Sequence, residues 1–316
     1  MRFLRRPLAF ALSMLILLGF LFSQASAAET EKRLTILFTH DTHDHFLPMP
    51  AERGGEYGGY TRLAALLKAE RAAAQTPVVT LDAGDFSMGS LFQTIYTTDA
   101  PELRALGAMG YDVTTLGNHE FDYRARGLAD MLRAAADSGD ICPAIVQANY
   151  KPPESDAGTW QAWERYGISD YTVVERGGLR VAVFGVLGVD ADECAPMSGM
   201  EFRAHRRGRQ TGGGGDPSGG GCRFCDLPFP QRHRRERKGR GLRAGKGVIP
   251  GIDVIISGHT HSTTQTPIQT RWRTRSSPAA SMPRTSGALT IRRGGEGEAV
   301  TVEDYRLIPV DETVPD

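Results

Sequence analysis

Four clusters of oxygen donors and imidazoles each follow an apolar run in this chain. Asp41-Thr42-His43 follows residues 34–38, and Asp82-Ala83-Gly84-Asp85 follows residues 78–81. Gly117-Asn118-His119-Glu120-Phe121-Asp122 follows residues 113–116, and Gly258-His259-Thr260-His261 follows residues 252–256. Short apolar runs of this kind read as buried strands. Carboxylates, a carboxamide and imidazoles delivered at strand ends suit divalent cations, and four such ends converge best on a two-metal site. Alternate residues of an extended segment point to one side, so Asp41 and His43 can face one cation together. Asp85 follows a glycine, which lets the backbone approach a ligand closely. Its two carboxylate oxygens can bridge two cations, as a neutral imidazole cannot.

The elements that must position these clusters alternate along the chain. Strands are predicted over residues 33–38, 77–81, 112–116, 144–147, 171–174 and 179–186. Helices are predicted over 60–74, 101–109 and 124–135, the first carrying Leu63, Leu66 and Leu67 and the last Leu128, Met131 and Leu132 at helical spacing. Strands interleaved with helices argue for a layered α/β fold rather than a bundle or a pure sandwich. At 316 residues with 40% hydrophobic content, the chain can bury one large core or two ordinary ones. Lys plus Arg and Asp plus Glu both total 37, so the overall charge gives no reason to expect a nucleic-acid partner, although the middle of the chain is very basic.

Residues 1–28 have the three parts of an export signal: basic Arg2, Arg5 and Arg6, an apolar run over 8–22, and Ala25-Ser26-Ala27 as a small-residue cleavage site. The apolar run is short for a bilayer span of roughly 20 residues, so the expectation is a periplasmic or extracellular chain without a stable membrane anchor, beginning near Ala28. Cys142, Cys194, Cys222 and Cys225 are too few for a disulfide scaffold; one bridge, Cys142 to Cys194, is compatible with an oxidising compartment. Cys222 and Cys225 have the spacing of a zinc or redox pair, but no second pair completes a site.

The four clusters, in this order, resemble those of the calcineurin-like metallophosphatases, and within them the catalytic domain of exported 5′-nucleotidases and 2′,3′-cyclic phosphodiesterases. The resemblance implies an α/β four-layer αββα sandwich over residues 29–316 with the metals at the strand ends. By motif, Asp41, His43 and His261 hold a first divalent cation, Asp85 bridges, and Asn118 and His259 bind a second. The cations (Zn, Mn, Mg, Co or Fe) are expected about 3.5 to 4 Å apart. A water-derived nucleophile would attack phosphorus in line while Asn118 helps neutralise the phosphate oxygens. His119, oriented by Asp122, resembles the family's imidazole that stabilises the departing oxygen; a satisfied structural histidine is the alternative. The implied partner is a small phosphate ester such as a nucleotide. Family members continue into a second domain that grips the nucleoside, and no counterpart of it is expected before Asp316.

Two segments break the pattern. Residues 204–247 are rich in Gly and Arg where the family has a helix, a strand and a Ser-His-x-Gly motif carrying another histidine for the second metal; His233 lies nearby but in an Arg-rich setting. Residues 270–286 interrupt the strands expected there. Both segments read as out of frame: codons can be chosen for residues 223–233 that, read one base along, give Asp-Phe-Val-Ile-Cys-Leu-Ser-His-Ser-Gly. On that view the Cys222–Cys225 pair and the basic run are accidents. The alternative is an inserted anion-binding arm. Three functions follow: a metal-dependent phosphoesterase, a remnant binding one divalent metal, or a basic polyanion-binding protein on the same scaffold.

Overall fold

The apolar run at 34–38 forms the Lys32–Thr39 strand of a six-stranded sheet in the computed structural model, which describes residues 32–52, 54–203, 221–226, 252–261, 264–270, 273–275, 284–294 and 300–314. The sheet order is Thr301–Pro309, Thr285–Arg293, Lys32–Thr39, Val78–Asp82, Val113–Thr114, Ala144–Ile145. Lys32–Thr39 pairs antiparallel with Thr285–Arg293 and parallel with Val78–Asp82. The helices Tyr60–Ala73, Pro101–Ala108 and Arg124–Asp137 supply the crossovers between its parallel strands. A second six-stranded sheet runs Ile268–Thr270, Arg273–Arg275, Val254–Ile255, Gly221–Asp226, Leu179–Gly185, Tyr171–Arg176.

Residue alternation explains why the first strand is buried on both faces from Leu34 onward. Leu34, Ile36 and Phe38 point into the space between the sheets, against Val181, Val183, Val254 and Ile256. Leu37 points the other way, into a cluster with Leu63 and Leu67, Leu103 and Leu106, and Leu128, Met131 and Leu132 from the three crossover helices. A strand buried on both faces needs no polar side, which is why it reads as a continuous run. Helix on sheet on sheet gives three of the four expected layers; the fourth is not represented among the described residues.

Several expectations are corrected in detail. The strand expected over 112–116 is only Val113–Thr114, because side chains take over its ladder: Thr115 Oγ1 donates to the Val146 carbonyl at 2.8 Å, and Gln147 Oε1 faces the Leu116 amide at 3.4 Å. The Ala157–Tyr166 helix was not expected. It is capped by Asp156, which accepts from the Thr159 amide, and ends on Gly167 with a left-handed backbone. Cys142 and Cys194 are not bridged; Cys194 is exposed at the end of the Val189–Cys194 helix.

Within the two aberrant segments, Gly221–Asp226 is a strand between Leu179–Gly185 and Val254–Ile255, and Arg273–Arg275 runs parallel to Val254–Ile255. Ladder hydrogen bonds are made by the backbone, so an unpatterned sequence can still add a strand. The Thr285–Arg293 strand begins inside the second segment. His233 and the rest of 204–247, and residues 1–31 with the leader, lie outside the described residues. No described helix is long and apolar enough to cross a membrane.

Candidate metal centre

Each cluster sits where a strand stops and its loop stays tied to a neighbour. The ladder between Lys32–Thr39 and Val78–Asp82 continues past both strands: Ala83 N donates to Thr39 O at 2.9 Å, Asp41 N to Gly84 O at 2.9 Å and His43 N to Asp85 O at 3.1 Å. The loops bearing Asp41, His43 and Asp85 therefore advance together. Asp41 and His43 do not face one side through extended alternation. Both are left-handed, with φ of 50° and 45°, as are Asp85 at 51°, His259 at 69° and His261 at 51°. Non-glycine residues adopt this backbone rarely, and it clusters where the surrounding structure holds it for a purpose.

Asp41, His43 and His261 come together, each offering a ligand atom within 4.8 Å of the others. His43 Nε2 and His261 Nε2 are 3.0 Å apart, and His261 Nε2 lies 4.0 Å from Asp41 Oδ2. Beside this group, His259 Nδ1 is 2.6 Å from Asn118 Oδ1 and 3.8 Å from Asp85 Oδ2. The two groups are linked, since His259 N donates to Asp41 Oδ1 at 2.8 Å. His119 stands next to both: its amide donates to Asp85 Oδ1 at 2.9 Å, its ring lies 5.1 Å from that of His43, and its Nδ1 is 3.1 Å from Asp122 Oδ2. The loops fit this closely because of glycine. A Cβ at Gly84 would lie 2.8 Å from Gly117 N.

Burial opposes ionisation of Asp41, but the His40 imidazole at 2.5 Å, the His259 amide and His261 outweigh it and hold the carboxyl well below the usual range. Burial also opposes charging His119, yet its hydrogen bond to Asp122 and the Asp85 and Glu120 carboxylates raise it to about 9. His261 is pushed down, chiefly by burial. An anionic carboxylate facing two imidazole nitrogens is a donor set that fits a divalent cation.

Three contributors were not singled out in the sequence. His40 presses on Asp41; Asp82, buried and pushed up to about 6 by desolvation, accepts from Thr39, Thr114 and the Gly84 amide; Glu120 accepts from the Asp85, Ser87 and Gly117 amides. The only available signal was a polar residue lying inside or beside an apolar run.

Two facing sheets with carboxylates and imidazoles at their strand exits have the metallophosphatase fold. Residues 34–185 match the calcineurin-like phosphoesterase family, and the chain carries a domain of that family. It is similar to a snake venom 5′-nucleotidase from Gloydius brevicauda, at 28% identity over 75% of this chain and 38% of that protein. A probable 5′-nucleotidase from Treponema pallidum is 30% identical over 72% of this chain and 36% of its own length. The structure of NAD nucleotidase from Haemophilus influenzae superposes with a TM-score of 0.66 at 17% identity, covering 90% of this chain and 51% of that one. The chain thus spans well under half the length of these two curated relatives.

Proposed function

We propose that the chain is an exported phosphoesterase of 5′-nucleotidase type that hydrolyses phosphate esters such as nucleotides with two divalent cations. The observation that carries this reading is the convergence of Asp41, His43 and His261 within 4.8 Å, beside Asp85, Asn118 and His259. The first three residues would hold one cation and Asn118 with His259 the other, with Asp85 between them. Bound there, the cations would supply Lewis acidity and an activated water. The chain's own groups supply the rest. Asn118 would help to neutralise the phosphate oxygens. His119, whose ring Asp122 fixes through a hydrogen bond that favours its protonated form, would donate a proton to the departing oxygen. The relatives named 5′-nucleotidases support nucleotides as substrates, and the three-part leader supports export.

The test is metal analysis paired with hydrolysis of p-nitrophenyl phosphate and AMP, with and without chelator. Cation-dependent turnover is expected, and turnover that survives complete chelation refutes the reading. A second reading, a remnant with one tight metal, is favoured by the second group's ligand count: Asp85, Asn118 and His259, with the remaining histidine expected within 204–247. A version carrying the restored frame in that segment should hold two metals against about one in the present chain, since even an outer-shell ligand change costs roughly 10- to 100-fold in affinity. Equal stoichiometry in both would remove this distinction. A polyanion-binding role would show instead as salt-dependent binding to heparin.

A further inference from the structure

Glu120 belongs to the cluster at 117–122 yet has no part in the proposed chemistry. It is completely buried. Its Oε2 accepts from the Gly117 amide at 2.6 Å and the Asp85 amide at 3.1 Å, while Oε1 accepts from the Ser87 amide at 2.9 Å and the Ser87 hydroxyl at 3.0 Å. Burial and the charge of Asp85 raise the Glu120 carboxyl to about 8, but four donors meet its two oxygens, an arrangement that the ionised form, with about four lone-pair sites and no proton of its own, satisfies. Three of those donors are backbone amides at strand exits, where the ladder has ended and a buried N–H would otherwise lack a partner. The carboxylate thus joins the loop that carries Asp85 to the loop that carries Asn118. There is no slack between them: a Cβ at Gly117 would lie 2.2 Å from Asp85 Oδ1. Tyr96 anchors the other end of Glu120, donating its hydroxyl to the Glu120 carbonyl at 2.8 Å.

A hydrophobic residue would leave the three amides unsatisfied. A glutamine would offer one acceptor oxygen and turn an NH2 group toward amides that are themselves donors. We propose that Glu120 is a positioning residue that fixes Asp85 against Asn118, and thereby sets the affinity of the metal group those two residues form with His259. This rests on the two-metal reading, but the clamp itself can be tested without it.

The test uses the full chain with Glu120→Gln, Glu120→Asp and, as a control for general destabilisation, Leu128→Ala. Leu128 is buried in the Arg124–Asp137 helix, and its side chain has no polar atom to join these loops' hydrogen bonds. Mn2+ titration of Glu120→Gln should weaken the weaker binding step by roughly 10- to 100-fold, as loss of an outer-shell partner does, and weaken by less the step that Asp41, His43 and His261 share with Asp85, because that step keeps three further ligands. Glu120→Asp should fall between Gln and the parent. In chelator, amide hydrogen exchange in Glu120→Gln should rise at 84–87 and 117–119 but not at 34–38. Equal weakening of both Mn2+ steps, the same split in Leu128→Ala, or unchanged exchange in the two loops would each overturn the proposal. If the parent takes up no Mn2+ at all, the proposed function fails together with the affinity part of this inference, and the exchange comparison decides the clamp alone.

Discussion

One added methyl at Gly117 should disable the centre, and its size can be worked from the contacts. An ideal Cβ there would lie 2.2 Å from Asp85 Oδ1, 2.5 Å from Asp85 Cγ and 2.7 Å from Asp85 N. Carbon contacts settle near about 3.5–4.0 Å, so something must retreat by more than roughly an ångström. Asp85 is poorly placed to do so. Its side chain takes the His119 amide at 2.9 Å, and its own amide is held by Glu120. Overpacking a tight site typically costs about 1–3 kcal/mol. At roughly 2–4 °C per kcal/mol for a domain near this size, Gly117→Ala should melt about 2–12 °C lower. Displacing the shared carboxylate by about 1 Å should cost on the order of 100-fold in turnover. The assay is thermal melting together with Mn2+-dependent hydrolysis of p-nitrophenyl phosphate, with Gly158→Ala as the comparison. There the new Cβ meets nothing nearer than 3.7 Å, so no loss is expected. Gly117→Ala that melts and turns over like Gly158→Ala would refute the steric reasoning.

Three further outcomes follow from the same contacts. Asp85→Ala should abolish divalent-dependent hydrolysis and reduce Mn2+ uptake, measured by metal analysis after gel filtration, because it removes the carboxylate between the two groups; undiminished uptake would dismiss Asp85 as a ligand. His119→Asn should lower kcat by about 100- to 10,000-fold, as loss of a general acid does, with Mn2+ affinity little changed; a loss seen only in Mn2+ affinity would make His119 a ligand rather than an acid. Glu102 is buried, neither carboxyl oxygen has a hydrogen-bond partner among the described residues, and desolvation raises it from 4.5 to about 8. Between those values the folded state holds a proton that the unfolded state has lost, so stability should fall as pH rises from about 4.5 to about 8. Glu102→Gln should flatten that slope in melting curves, and an unchanged slope would rule out the buried carboxyl as its source.

The strand exits were legible because apolar runs and ligand types are both properties of single residues and short spacings. The left-handed backbone at Asp41, His43, Asp85, His259 and His261 was not, since nothing in those residue types announces it and tertiary contacts hold it in place. Asp41 and His43 do meet, but by a turn rather than by the alternation the sequence suggested. The Ala157–Tyr166 helix was missed although Asp156 and Gly167 mark its two ends, because its apolar face is short.

The remaining misses share one cause. Around the centre, backbone groups that leave the sheet ladder are taken up by polar side chains. Thr115 and Gln147 extend the Val113–Thr114 strand, Asn149 pairs with both the amide and the carbonyl of Leu187, Asp82 holds the Gly84 amide and Glu120 holds three more. Apart from Asp82 on the Gly84 amide and Glu120 on the Gly117 amide, two and three residues away, these side chains act on backbone remote in sequence, so local spacing does not reveal them. A buried amide still requires an acceptor, and strands that end early to splay their loops toward a ligand create several such amides at once. The polar residues beside the apolar runs therefore divide into two kinds. Some project toward the ligand, as Asp41 and His43 do, and others, such as Asp82 and Glu120, replace the missing ladder behind them. Amide exchange at Gly84 and Gly117 would separate the kinds by experiment: substitution of a ladder substitute should raise it even without metal, and substitution of His43 or His261 should not.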